Sequence, residues 1–340
     1  MRTRRHIRLW LILLMAIAAI NSYGQDVHST QYYNTPYLIN SGLTGQFNGE
    51  QRYALYHRSQ WRSISVPYRS VALSADWRNL TLTRRIDKIP KVHSGVTLIN
   101  DRAGDSRFRT TVFMGSLSVP LAWNQWQITP ALSLGLINMS IDQSDLFFDQ
   151  NWTGQVFDPS ANNGEGSISE GYSRFQCNTG IAFSKAQNGV ETLFGIGVFN
   201  LQQPRQNFLE GDDMRLQRRW VMHGQVKFGV APQWQAEPIL LWMQQGPYRS
   251  IAPGLRVHYD LQTPGIPTIA YVGMTGRARD AGNIIAGMRY DMWDVGLSYD
   301  INVSDLVPAS NRRGGLELTV VYIIPPAIQI PTYKSCKKWM

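Results

Sequence analysis

From residue 52 onward, apolar and polar side chains alternate with period 2, and a 3.6-residue period is nearly absent. Val71, Leu73, Ala75 and Trp77 alternate with Ser70, Ala72, Ser74 and Asp76. Val295, Leu297, Tyr299 and Ile301 alternate with Asp294, Gly296, Ser298 and Asp300, and Leu316, Leu318, Val320 and Tyr322 with Glu317 and Thr319. One face of each strand is therefore greasy and the other small or polar. A soluble sandwich would bury the greasy face in its core. A transmembrane barrel would turn it to lipid and keep the polar face inside. Strand length separates the two. The runs 125–140, 217–230 and 249–260 hold ten or more residues, whereas strands of soluble proteins average about 5–6 and tilted membrane strands need about 9–11. Trp61, Trp77, Trp126, Trp220, Trp234, Trp242 and Trp293 fall near strand ends, where a membrane barrel carries its interfacial aromatic girdles.

The pattern predicts strands near 52–60, 68–77, 93–101, 108–119, 125–140, 172–184, 190–199, 217–230, 234–244, 249–260, 266–276, 282–290, 293–302 and 314–323. The expected fold is all-β: an antiparallel up-and-down transmembrane barrel of about 14 strands, an even number as bacterial barrels have. With the N-terminus in the periplasm, the long connections 141–171, 200–216 and 303–313 face outward and the short ones 120–124, 185–189, 231–233 and 291–292 face inward. That asymmetry is usual for such barrels; the longer inward connection 78–92 departs from it. Lipid cannot satisfy a free strand edge, so the sheet is expected to close. Pro130, Pro238 and Pro253 fall inside predicted strands, each removing a ladder donor, and are candidate bulge sites. No segment reads as a plug.

Composition narrows the reading further. The 340 residues are only 17% charged, with 29 Gly, 11 Trp, 15 Tyr and 12 Phe, against about a quarter charged in ordinary soluble domains. The longest apolar run, Leu9–Ile20, is shorter than the ~20 residues of a spanning helix. Preceded by Arg2, Arg4, Arg5 and Arg8 and followed by Ser22-Tyr23-Gly24, it reads as a signal peptide cut before Gln25. Cleavage removes four arginines and no acid, so the formal charge falls from +9 to 9 − 4 = +5. Nucleic-acid binding thereby loses its support. Cys177 and Cys336 form no disulfide framework. The expected divisions are 1–24 signal peptide, 25–51 N-terminal periplasmic segment, 52–324 barrel and 325–340 periplasmic tail.

Catalytic and cofactor motifs are missing. The six histidines have no HExxH or CxxC company, and no GxSxG elbow exists. Gly195-Ile196-Gly197 lacks the third glycine of a nucleotide fingerprint, and Gly195 and Gly197 fall on the polar face, where they make room inside. Asp142, Asp145, Asp149 and Asp158 lack EF-hand spacing. The expectation is no enzyme, no cofactor and no metal. Inward charges include Asp76, Lys227, Glu237, Arg289, Asp300 and Glu317; their mixed signs define no ion-selective pore and suggest a mutually paired lumen. Arg84, Arg85, Lys88 and Lys91 sit on the long inward connection and are candidate periplasmic docking residues.

Several segments resemble one family. Gln25-Asp26, then Ser29-Thr30-Gln31-Tyr32-Tyr33-Asn34-Thr35-Pro36, then Leu38-Ile39-Asn40 and Gly45 are similar to the start of mature PorP/SprF proteins, outer-membrane components of the type IX secretion system of Bacteroidota. Arg58-Ser59-Gln60-Trp61, Asp101-Arg102-Ala103-Gly104, Asn200-Leu201-Gln202-Gln203-Pro204 and the tail Cys336-Lys337-Lys338-Trp339 resemble further family segments. Ser41-Gly42, Asn200 and Lys337 depart from the family's Pro-Ala, His and Pro. The resemblance marks Tyr32, Asn34, Pro36, Asn40, Arg58, Gln60, Trp61, Asp101, Gly104, Pro204, Cys336 and Trp339 as family positions, structural or in contact with partners. It implies an outer-membrane location and a role in protein secretion or gliding motility without catalysis. The implied partners are the secretion machinery and cargo, such as a large adhesin with a type B sorting domain. The rival reading is a porin or channel for small solutes or small hydrophobic molecules.

Overall fold

The computed structural model describes residues 29–60, 67–80, 91–104, 108–141, 152, 154–156, 171–206, 215–278, 280–303 and 313–326. Fifteen strands occur among them: β1 Gln51–Gln60, β2 Tyr68–Leu80, β3 Val92–Ala103, β4 Phe108–Ser118, β5 Leu121–Trp123, β6 Trp126–Ser140, β7 Gly171–Gln187 and β8 Val190–Phe199, followed by β9 Arg219–Ala231, β10 Trp234–Gln245, β11 Tyr248–Asp260, β12 Thr268–Arg277, β13 Ala281–Tyr290, β14 Trp293–Asn302 and β15 Arg313–Ile324. β4 and β5 both pair with β6 and are interrupted at Val119-Pro120, so they form one stave. The sheet therefore has fourteen staves, each antiparallel to its neighbours, and β1 pairs with β15 from Gln51↔Ile324 to Gln60↔Gly315. The expected closed barrel is what the chain forms, with strand positions close to those the alternation predicts.

Alternation sets the two faces. Tyr53, Leu55, Leu73, Phe113, Leu134, Leu297 and Tyr299 are exposed on the outside, while Arg52, Ala54, Ser74, Asp76, Ser298 and Asp300 are buried inside. At one end the strands join through two-residue turns at 124–125, 188–189, 232–233 and 291–292. Asn188 (φ 53°) and Gly189 (φ 76°) are both left-handed, as a type I′ hairpin turn requires at its two central positions. This turn end carries outward aromatic pairs: Tyr53 with Trp77, Trp234 with Tyr259 and Trp293 with Tyr322, at 6.4, 4.6 and 4.6 Å between ring centres. Trp220, Trp242 and Tyr248 sit toward the opposite, loop end, which bears the connections 141–170 and 200–218.

The prolines do not sit at the bulges. Register shifts fall at Trp77/Leu80, Trp234/Gln235 and Tyr299/Ile301. Pro130 instead faces the interruption between β4 and β5, where its carbonyl still accepts the Val119 N–H at 3.0 Å. Pro253 stands where β11 stops pairing with β12, which begins at Gly254↔Thr275. Both positions let the ladder forgo a donor.

The largest departure from the sequence reading lies before β1. Residues 29–46 form no separate periplasmic segment in the structure. They cross the barrel lumen as turns and two short 3₁₀ turns, Pro36–Leu38 and Ser41–Leu43, and most are buried. The lumen thus contains a plug formed by the chain's own N-terminal region.

Candidate functional site

The plug is held at several places along its length. At its start, the Thr30 N–H donates to both carboxylate oxygens of Glu317 at 3.0 and 2.9 Å, and Thr30 Oγ1 donates to Asp300 Oδ1 at 2.9 Å. Arg58 bridges the two acids: Nη2 lies 2.8 Å from Asp300 Oδ2 and Nε 3.2 Å from Glu317 Oε1. Arg277 adds a second cation 3.2 Å from Asp300. Glu317 and Asp300 are 0% and 1% exposed. Carboxylates so buried require charge partners and hydrogen bonds; the plug backbone supplies part of that set. Gln31 reaches further, with Nε2 donating to Gly296 O and Glu317 O, both at 3.3 Å, while Oε1 accepts from Thr319 Oγ1 at 2.8 Å.

The second hold is aromatic and cationic. The Arg256 guanidinium lies over the Tyr33 ring, 3.3 Å from its centre, and pairs with Glu237 at 2.8 Å. His258 Nε2 is 2.6 Å from the same Glu237. Stacked guanidinium on a desolvated ring is worth up to about 2 kcal/mol.

The third is a close backbone approach centred on Asn40, which is fully buried. Its amide donates to Ile181 O at 2.9 Å and lies 2.9 Å from His223 Nε2, and its Oδ1 accepts the Gly42 N–H at 2.8 Å. The wall here is made of glycines. A methyl group at Gly180 would overlap Asn40 Oδ1, one at Gly195 would come 2.5 Å from Asn40 Nδ2, and one at Gly197 would overlap Ile39 O. Gly195 and Gly197 make room inside, as the sequence suggests, and the occupant of that room is the plug.

The fourth is apolar. Tyr32, Leu38, Ile39 and Leu43 pack with Ala182, Phe199, Val221, Ile239, Leu241, Met243 and Ala252 of the inner wall. Burying a Leu or Ile side chain contributes about 1.5–3 kcal/mol, so this patch rivals the polar holds. Nearer the turn end, Ser118 donates to Thr44 O at 2.8 Å, and the Gly45 N–H donates to Asp76 at 3.2 Å, beside the Arg52–Asp76 ion pair.

The family positions divide between plug, wall and rim. Tyr32 and Asn40 anchor the plug as described, Asn34 Nδ2 donates to Thr319 at 3.0 Å, and buried Pro36 opens the first 3₁₀ turn. Arg58 is the bridge beneath Thr30. Gln60 ends β1 opposite Tyr68 and Gly315. Asp101 accepts from Ser70, Gly104 turns the chain at φ 69°, and Pro204 O accepts the Leu216 N–H at 2.9 Å, all at the loop end. Lys91 is exposed at the turn end. Trp61, Arg84, Arg85, Lys88, Cys336 and Trp339 lie outside the described residues. Sequence reasoning missed Thr30, Gln31, Tyr33, His223 and Arg256 as plug contacts. One signal was available: Pro238-Ile239-Leu240-Leu241-Trp242-Met243 is apolar on both faces, which a lipid-facing strand needs only if something apolar also covers its inner face.

Two further inward charges named from the sequence are paired: Lys227 with Glu191 at 2.7 Å, and Arg289 with Asp294 at 3.0 Å. Among the described residues, no three His, Cys, Asp or Glu side chains gather to hold a metal.

Among solved structures, the Ralstonia pickettii toluene transporter TbuX is 7% identical, with 83% of this chain and 91% of that chain covered and a TM-score of 0.46. The Pseudomonas putida toluene transporter TodX is 8% identical, with 89% and 97% covered and a TM-score of 0.45. The NanC porin is 10% identical, with 81% and 100% covered and a TM-score of 0.38. No curated protein matches. The model of the type IX secretion system membrane protein family PorP/SprF matches residues 21–322. The chain belongs to the PorP/SprF family and is an outer-membrane β-barrel of the type IX secretion system.

Proposed function

We propose that this barrel is an interaction platform for secretion or surface attachment of partner proteins, and that its lumen is not their conduit. The plug carries the reading. Residues 29–46 lie across the lumen and are tied to β1, β2, β4, β6–β11, β14 and β15. A barrel stoppered by its own polypeptide presents surfaces, and the surfaces here are unequal. The loop end offers the connections 141–170 and 200–218 to cargo outside the cell, a gliding-adhesin-like protein with a type B sorting domain fitting the family role. The turn end offers the basic 81–91 connection and the 325–340 tail to the periplasmic machinery.

Two measurements test it. Single barrels in a planar bilayer should conduct poorly; a large, stable conductance would favour a solute channel. Purification from native membrane in mild detergent should recover secretion components or cargo with the barrel. A barrel recovered alone would defeat the platform reading.

A further inference from the structure

The plug's two ends lie at opposite ends of the barrel. Its last residues are at the turn end, where the Gly45 N–H donates to Asp76 and β1 begins at Gln51. Its first residues are near the loop end. Thr30 Oγ1 donates to Asp300, two residues before β14 ends at Asn302. The Thr30 N–H donates to Glu317, whose register partner Arg58 is two residues before β1 ends at Gln60. Arg277, the last residue of β12, lies 3.2 Å from Asp300 and 2.6 Å from Asp280. Asp280 belongs to the loop-end connection between β12 and β13, and its side chain is 24% exposed. Thr30, Asp300, Arg277 and Asp280 therefore form a polar line from the start of the plug to the mouth of the barrel.

Below Thr30 the lumen is taken by the plug itself. Gln31 reaches Gly296 and Ser298, and Tyr33 lies against Arg256, four residues before β11 ends at the turn end. The chain then climbs back, because Leu38 O accepts from Arg219, the first residue of β9 at the loop end. It descends again through Asn40 and Ser41 to Thr44. Gln31, Thr35 and Asn40 are each 0% exposed, so this folded path is closely packed. Distances along the wall are as unequal as the obstruction. From Asp300 to the end of β14 at Asn302 is about 7 Å, and back to its start at Trp293 about 23 Å, at roughly 3.3 Å per strand residue. Cleavage before Gln25 leaves five residues, 25–29, ahead of Thr30. Fully extended, five residues span at most about 18 Å. That length clears the near mouth and falls short of the far one.

We infer that the mature N-terminus opens at the loop-end mouth, toward the cell exterior, although β1 starts from the periplasmic side. The free end of the plug is then within reach of proteins at the cell surface and out of reach of the periplasmic machinery. The inference goes beyond the platform reading and survives its failure, since it rests on the path of the chain through the barrel and not on what the barrel carries. The test is thiol labelling of intact cells with a membrane-impermeant polyethylene glycol maleimide. The full-length protein carries Cys177→Ser and Cys336→Ser and one added thiol. Val27→Cys should give a mobility shift in intact cells, as should Val156→Cys in the long loop-end connection. Gln125→Cys, in a turn at the opposite end, should shift only after the outer membrane is permeabilised. A Val27→Cys barrel that behaves like Gln125→Cys overturns the proposal. So does one that labels only after denaturation, because its N-terminus would open to neither side. Retention of the heat-modifiable band shows that each variant is folded. A second variant avoids the substitution: a site for a sequence-specific protease, inserted between Asp26 and Val27, should be cut by protease added outside intact cells. Cutting only after permeabilisation overturns the proposal equally.

Discussion

The carboxylate of Glu317 on β15 accepts the backbone N–H of Thr30 at 2.9 and 3.0 Å, across 287 residues of sequence. Thr30 has thereby exchanged water for a buried acid that Arg58 already neutralises in part. Hydrogen bonds to charged groups are worth about 1.5–3 kcal/mol each. Glu317→Ala should therefore raise the opened population of the plug's first residues about tenfold or more. A single thiol placed by Thr30→Cys, with Cys177 and Cys336 changed to Ser, reports this. Labelling should be slow in the parent and fast with Glu317→Ala, while the barrel keeps its heat-modifiable band.

Gly197 tests the close approach of plug to wall. Its missing side chain leaves space that the Ile39 carbonyl fills. Gly197→Val should drive residues 38–41 off β7 and β8 and raise single-barrel conductance. Gly229→Ala, with nothing within 4 Å of the added methyl, should leave conductance unchanged. Equal conductance in both would mean that the plug does not limit the pore.

The two faces should respond differently to charge changes. Leu297, 48% exposed near the middle of β14, faces lipid. Leu297→Arg should destabilise the barrel by about 2–4 kcal/mol, read as a lower urea midpoint in vesicles. Lys227→Gln removes the partner of the exposed Glu191 on the lumen side and should cost no more than about 1 kcal/mol.

Loop and tail roles follow from the platform reading. Deleting 142–170 should remove cargo from the cell surface while leaving a folded barrel in the outer membrane. Neutralising Arg84, Arg85 and Lys88 should lower recovery of periplasmic components in pull-downs. Immunolabelling of intact cells and quantified co-purification check the two separately.

The wall of this protein was readable because lipid imposes a strict rule on it. Every second residue of β14, from Trp293 to Ile301, meets acyl chains, and the sequence repeats that constraint plainly. The plug obeys no such rule. Ser29–Leu43 has neither period 2 nor period 3.6, and its order comes from side chains scattered over distant strands: Glu317, Arg256, His223 and Ser133. Family resemblance flagged Tyr32, Asn34, Pro36 and Asn40 without saying where they go. Only the two-sided apolar stretch on β10 and the inward glycines hinted that something solid lay against the wall. Prolines misled in the other direction, because the ladder ends beside Pro253 and breaks opposite Pro130 where bulges were expected.

Arg58 and Glu317 are direct register partners across the seam where the first and last strands meet. Their ion pair therefore staples the joint that turns a sheet into a cylinder, and Thr30 sits on that staple like the head of a rivet. Pulling the N-terminal residues away would leave this joint to its ladder bonds and a half-solvated charge pair. A partner that captures residues near 30 would accordingly loosen the wall sideways at β1 and β15, as well as clearing the passage down the middle.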